Sequence, residues 1–391
     1  MVQAAQSAWW GNRGGMVKTG STWFERFLLP GLAFKAVVIG GGYATGRELA
    51  TFFLPSGPWG GLLGMAFATM IWSVVAAVSF LFAFETGSGD YRTFFKHLLG
   101  PLWPAFEVAY LLAVVVILAV FAAAAGAIFH AVFHLPDVIG AVCLMATIML
   151  VVAFGNASVE ALFKYVTFVL YGTYILFIIL SMSKFGDRML AAFAASSVGA
   201  GWPEGGLAYA GYNILGAVVI LPTLRHLQKR SDAVVAGLLA GPLAMFPAVL
   251  FFVCMVAYIP YVGEAPLPSD YLLIQIGSPA FRILFQLMIF AAMLESATGG
   301  VHAIIERINN AVEKRKTSPL GRGWRSAIAA IVLVVSVGIA GRFGLVALIA
   351  SGLRWLSHAF LLIYVVPLLT LGVFRLWRMR LRATDAVGEP G

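Results

Sequence analysis

The sequence predicts an all-α polytopic membrane protein, with ten transmembrane helices in a 5+5 inverted repeat whose helices 1 and 6 are broken. Three observations carry that expectation. Of the 391 residues, 61% are hydrophobic and 11% charged, a balance outside the range of soluble globular domains. The apolar residues fall into ten stretches, most of them close to the roughly 20 residues that cross a bilayer as a helix. The first and sixth stretches occupy corresponding places in two oppositely oriented halves, and both contain glycine at a polar centre; this pattern points to a binding site between inverted repeats.

Residues 1–20 are poor in apolar residues and carry Trp9, Trp10 and Arg13. They lack the apolar core of a cleavable signal peptide and read as a cytoplasmic tail. A single transmembrane domain follows at 21–382, with a first repeat at about 24–182, a second at about 203–376, and a second tail at 383–391. Span one, from about Phe24 to Leu54, is interrupted by Gly40, Gly41 and Gly42. Each glycine costs about 1 kcal/mol relative to alanine inside a helix. Thr45-Gly46-Arg47-Glu48 then has the form of a capping box, Thr45 and Glu48 each bonding the other's amide at a new helix start. The segment therefore reads as half-helix, turn, half-helix.

Spans two to five are expected near 59–84, 102–129, 136–154 and 159–182, and spans six to ten near 203–225, 233–259, 280–305, 326–341 and 355–374. Span six carries Gly211-Tyr212-Asn213 at its centre, the counterpart of the glycine turn in span one. The segment Gly344 to Leu353 is too short to cross and is expected as a re-entrant or surface helix. Ten spans put both termini on one side. That side holds eighteen of the 26 Lys and Arg residues and the other six, with Lys35 and Lys164 inside spans, so both termini are expected in the cytoplasm of a bacterial plasma (inner) membrane.

The net charge of +9 comes from loops between apolar spans rather than from one face, which argues against nucleic acid and for a lipid bilayer as the large partner. Cys143 and Cys254 lie in apolar stretches without metal-type spacing, so neither a disulfide nor a zinc site is indicated. The chain contains no HExxH, phosphate-binding glycine loop, GxSxG or potassium-filter sequence, so no catalytic or nucleotide-driven chemistry is expected. Oligomeric state is not legible.

Gly40-Gly41-Gly42-Tyr43-Ala44-Thr45-Gly46-Arg47-Glu48 resembles the first-span signature Gly-Ala-Gly-Phe-Ala-Ser-Gly-Gln-Glu of the YkvI-like bacterial membrane proteins. That family is grouped with the amino acid, polyamine and organocation transporter superfamily, so the resemblance implies the leucine-transporter fold. Close matching is confined to span one and, more weakly, Tyr209 to Asn213. Arg47 stands where the family has glutamine.

A helix broken at membrane depth bares carbonyls on one half and amides on the other, with opposite dipole ends. One turn can thus meet both a cation and an anion, which suits an amino-acid-like zwitterion. The expected small-molecule site is Gly40, Gly41, Gly42, Tyr43, Ala44, Thr45, Gly46 and Arg47 with Tyr209, Gly211, Tyr212 and Asn213. Ser296 and Thr298 of span eight, near Glu295, resemble the hydroxyls that complete a sodium site in sodium-coupled members of the fold. Lys164 in span five resembles the lysine that replaces sodium in proton-coupled relatives, and its alternative is an i,i+4 pair with Glu160. Lys35 is a second such candidate. His130 and His134 have metal-ligand spacing but only Asp137 nearby, and Glu295, His302 and Glu306 share a helix face that could relay protons. The chain thus reads as a secondary active transporter of a small organic solute coupled to sodium or protons, without a resident cofactor. The alternative is a solute receptor that keeps the transporter fold.

Overall fold

The structure is a computed structural model, and it describes residues 21–39, 41–154, 157–313 and 321–385. Among these the regular elements are helices. Span one enters through a π-helical turn, Phe24–Leu28, into α1 (Leu29–Val38), then α2 (Gly41–Ala44) and α3 (Arg47–Phe52). α4 (Gly57–Thr86) is span two. Pro58 stands in its first turn, where a missing N–H costs nothing, and it is capped at its end by Gly87 in the left-handed region. α5 (Tyr91–Leu99) is a short helix between spans two and three, begun by Asp90, whose carboxylate accepts from the Thr93 amide at 2.9 Å.

Spans three, four and five are α6 (Trp103–Phe133), α7 (Asp137–Phe154) and α8 (Ala157–Ala194). α8 runs a dozen residues beyond the expected end of span five. Its polar extension is anchored by Lys184, whose ammonium donates to the carbonyl of Ile276 at 2.8 Å. Span six is α9 (Trp202–Asn213), α10 (Leu215–Val219) and a 3-10 stretch, Leu221–His226. α11 (Arg230–Val256) is span seven; α12 (Tyr261–Glu264) and α13 (Pro268–Ile276) lie between it and span eight, α14 (Pro279–Glu313).

Six helical stretches among the described residues are long and apolar enough to cross a bilayer. α7 is a shorter apolar helix, and spans one and six escape that criterion because they are broken. The last stretch, Gly323–Leu381, spans 59 residues without a gap in helical hydrogen bonding, yet it holds two spans. Gly344, at φ 71° and ψ 169°, turns the chain inside α15 (Arg322–Ala347). Beyond it, the π turn Leu348–Leu353 passes through helical backbone into α16 (Arg354–Phe360) and on to α17 (Val373–Asp385). The expected separate helix at Gly344 to Leu353 is therefore the first part of span ten. One positive-φ glycine suffices for the reversal, and no intervening element is needed.

Spans one, two, six and seven pack together, and spans three, four, eight and nine form a second group, with five and ten bridging them. The first group is close-packed through small residues: a Cβ on Gly237 of α11 would run into the backbone of Ala76 and Ala77 of α4, the contact that small side chains permit between membrane helices. Every described ion pair stays inside one group or its flanking helices. Arg26 grips Asp232 with Nη2 at 2.7 Å, and Arg230 grips Glu85, both within the first group. Arg307 with Glu107 at 3.1 Å, Arg325 with Glu306, and Arg282 with Asp270 at 2.7 Å belong to the second.

Candidate functional site

The break in span one has two parts. α1 ends at Ile39, whose ψ of 75° leaves helical space; Gly40 lies outside the described residues. After the single turn of α2, Thr45 and Gly46 form another turn, with Gly46 at φ 76° and ψ −5°. The half-helix, turn, half-helix pattern expected from the glycines is thus present, and residues 43–50 are all buried.

The expected capping box is not. Gly46 itself is the residue before α3, no side chain caps that helix, and Thr45 Oγ1 accepts from the Arg47 amide at 3.3 Å. The left-handed glycine shifts the helix start by one residue, so Glu48 no longer sits in the position from which it would reach back to Thr45. Glu48 instead accepts a hydrogen bond from the hydroxyl of Tyr212 on α9. The Thr45 carbonyl meanwhile accepts from the amide of Ser269 in α13 at 3.0 Å.

Arg47 neither pairs with Glu48 nor points into the break. Its Nη1 donates to the carbonyls of Gly263 and Ala265 at 2.8 and 3.0 Å, and its Nε donates to Thr51 Oγ1 at 3.2 Å. The guanidinium thereby ties the second half of span one to the end of α12, where helix carbonyls lack intrahelical partners. Its side chain is therefore not brought to the other expected substrate ligands and serves as a tie to the loop after α12.

Span six is interrupted as well, but later and less deeply than its glycine suggested. α9 continues through Gly211, Tyr212 and Asn213, and the interruption is a tightening at Ile214, whose backbone stays helical at φ −61° and ψ −19° while the Ala217 amide turns to its carbonyl at 3.0 Å. Gly211 is there for packing: an added Cβ would strike the Ser357 hydroxyl of span ten. Asn213 turns its amide back to the Tyr209 carbonyl at 3.1 Å, so it serves its own helix.

Tyr43, Tyr209 and Tyr212 do converge. The Tyr43 hydroxyl lies 3.0 Å from that of Tyr174, which donates to the Pro247 carbonyl at 3.1 Å, so Tyr43 donates to Tyr174. Tyr209 is 0% exposed, and its hydroxyl has no hydrogen-bond partner among the described residues. Rings close around it: Phe53 at 5.0 Å, Trp72 at 5.5 Å, Tyr212 at 5.8 Å and Phe52 at 6.1 Å between centroids. Sequence reasoning missed Tyr174, Phe52, Phe53 and Trp72. Tyr171 and Tyr174, three residues apart on one face of span five, were the available signal for the first; the others look like ordinary core until span six is laid against them.

The expected ion-coupling residues are dispersed. Ser296 is exposed, while Thr298 is buried and donates to the Leu294 carbonyl of its own helix at 2.7 Å. Residues two apart on a helix do not face one way, so the pair does not form one cation site. Lys35 is half-buried with its ammonium 4.5 Å from the Tyr171 ring centroid, a cation–π contact, and Glu295 lies within electrostatic reach of the same tyrosine. The Lys164 side chain, and with it the Glu160 pairing, lies outside the described residues. His130 and Asp137 approach to 3.6 Å in full exposure, and no group of three metal-ligating side chains occurs among the described residues. Glu306 is engaged by Arg325 rather than by His302.

By sequence, no family profile and no curated protein matches the chain. The fold does match solved transporters. MhsT in complex with L-phenylalanine superposes with a TM-score of 0.58 at 15% identity, over 92% of this chain and 98% of that one. A Na+-coupled sialic acid symporter in a substrate-bound outward-open state gives 0.57 at 14% identity, over 91% and 82%. A manganese transporter of Eremococcus coleocola gives 0.50 at 15% identity, over 92% and 81%. The chain has the leucine-transporter fold of polytopic transporters.

Proposed function

We propose, on the premise of that fold, that this chain is a secondary active transporter which carries a small organic solute with an amino-acid-like ammonium group by alternating access. The observation that carries the reading is the meeting of two interrupted spans at one buried place, where Glu48 of α3 and Tyr212 of α9 share a hydrogen bond. Interrupted helices at membrane depth are tolerated where they serve a site. The grouping of the ion pairs supports the motion: one group of spans can rock against the other without breaking any described salt bridge, since none crosses between them.

Protons fit the coupling role better than sodium, because Ser296 faces outward and Thr298 is taken by its own helix. The excess of Lys and Arg on the side of the termini, including Arg375, Arg378 and Arg380 on α17, supports cytoplasmic termini in a bacterial plasma membrane. Repeats at about 24–182 and 203–376 fit the positions of spans one and six, and the signature at Gly40 to Glu48 supports a place beside the YkvI-like proteins.

Uptake into proteoliposomes tests the reading. Saturable accumulation of a labelled amine or amino acid under an imposed proton or sodium gradient is the expected result. Ligand binding without accumulation under either gradient would replace the transporter with the receptor.

A further inference from the structure

The charge inventory around the two interrupted spans is lopsided. Glu48 is 7% exposed, and Tyr212 is its only described hydrogen-bond partner. Tyr212 donates to its carboxyl, and Tyr43 and Tyr209 lie within electrostatic reach of it. Of the charged groups on α3 and on the elements packed against it, Arg47 is turned to the carbonyls of Gly263 and Ala265, Asp270 is held by Arg282 and Gln286, and Arg230 and Asp232 of α11 pair with Glu85 and Arg26. Glu204, Glu264 and Arg354 are exposed at the surface. Among the described residues, no cation faces Glu48.

A carboxylate buried without a counterion costs several kcal/mol, so such a group holds a proton or holds a cation. The wall around it says which cation. Phe52 and Tyr212 stand 6.0 Å apart, Tyr209 packs edge-on to Tyr212, and the Tyr209 hydroxyl is buried without a partner. Aromatic faces attract organic ammonium groups. A hard divalent ion would need six or more oxygen ligands, which one carboxylate and three phenols do not provide.

We infer that Glu48, walled by Tyr43, Tyr209, Tyr212 and Phe52, is the binding group for an organic monocation, and that this cation and a proton compete for the carboxyl. The inference rests on the transporter reading for the place of the site and deepens it by naming the cargo. When the ammonium enters, the O–H bond of the Glu48 carboxyl breaks and its proton leaves to water. When the ammonium departs, a proton from water re-forms that bond. One positive charge replaces another, so the site is never left as an unpaired anion, and the exchange itself couples the solute to the proton gradient in opposite directions. An amino acid would bring a carboxylate for which no described cation is in place.

Two matched pairs of probes decide it: ethylamine against L-alanine, and 2-phenylethylamine against L-phenylalanine, each pair differing by one carboxylate. Titration calorimetry on the purified full chain, run in buffers of different ionisation enthalpy, reads both affinity and proton release. The expected result is that an amine binds at least about tenfold more tightly than its amino acid (about 1.4 kcal/mol) and releases one proton. Its affinity should rise about tenfold per pH unit on the acid side of the Glu48 titration and level off above it. Glu48→Gln, which keeps an acceptor for Tyr212, should lose the proton release and the pH dependence. Monodisperse elution of Glu48→Gln in size-exclusion chromatography, with a thermal midpoint close to that of the parent, shows that the loss is not a loss of folding; an aggregated or unfolded variant is replaced by Glu48→Asp, which keeps the carboxyl and should keep the proton release.

Amine binding that is equal in Glu48→Gln, tighter binding of the amino acids, binding without proton release, or no binding by either amine would each overturn the inference. Accumulation of the same amine in acid-loaded proteoliposomes is scored separately. Binding with proton release but no accumulation sinks the transporter and leaves the site; accumulation of amino acids independent of Glu48 sinks the site and leaves the transporter.

Discussion

Tyr212 donates its phenolic proton to Glu48 across the junction of spans one and six, with both residues 7% exposed. This bond joins the second half of one interrupted span to the other, so it reports on whether the two move as a unit. Removing the donor strands a buried carboxyl. Tyr212→Phe is expected to destabilise the purified protein by about 1–3 kcal/mol, seen as a lower thermal midpoint in detergent. An unchanged midpoint would show that the bond contributes nothing.

Gly46 and Gly344 both have positive φ, 76° and 71°, but only one is hemmed in. A Cβ on Gly46 would press into the ring of Phe251 and against Pro268 Cβ at 3.2 Å, whereas Gly344 has open space around it. Alanine at either position pays the left-handed penalty of about 1–2 kcal/mol. At Gly46, overpacking adds about 1–3 kcal/mol. Thermal unfolding should therefore rank Gly46→Ala well below Gly344→Ala; equal losses would mean that the Phe251 ring yields freely.

Arg47 ties the second half of span one to the end of α12 by donating to the carbonyls of Gly263 and Ala265. In a chain whose Cys143 and Cys254 are replaced, a cysteine introduced by Ala44→Cys should react slowly with a membrane-impermeant maleimide. Adding Arg47→Ala should speed the reaction several-fold. Lysine at position 47 should not restore the slow rate, since an ammonium cannot reproduce the planar fork. Equal rates with and without Arg47 would remove the tie from the description.

Asp232 is fully buried and receives Nε and Nη2 of Arg26 at 3.0 and 2.7 Å, together with the Gln228 amide at 3.0 Å. Asp232→Asn should cost about 2 kcal/mol. Because the pair lies inside one packing group, uptake should fall only in proportion to the folded protein remaining. A loss of uptake rate per folded molecule would place the pair at a moving interface instead.

Much of this architecture could be read from composition and spacing, because apolar runs of bilayer length and glycines at membrane depth are local features. The interruption of span one after Ile39, the helical membrane-spanning class and the convergence of Tyr43, Tyr209 and Tyr212 were legible in that way. The partner of Glu48 was not. Thr45 and Glu48 satisfy a local capping pattern, and one left-handed glycine between them was enough to cancel it. Ser296 and Thr298 show the limit of a resemblance: their two-residue spacing places them on different faces of the helix, so only Thr298 is buried.

What the residue order determined alone is that the chain must fold as membrane helices and that two of them lose continuity near the middle, since hydropathy and glycine act within a few residues of themselves. Which groups then meet was decided by packing between segments far apart in the chain. Glu48 and Tyr212 are 164 residues apart, and Arg47 reaches carbonyls 216 and 218 residues away. No short-range rule weighs a hydrogen bond whose two ends are brought together only when one interrupted helix is laid against another.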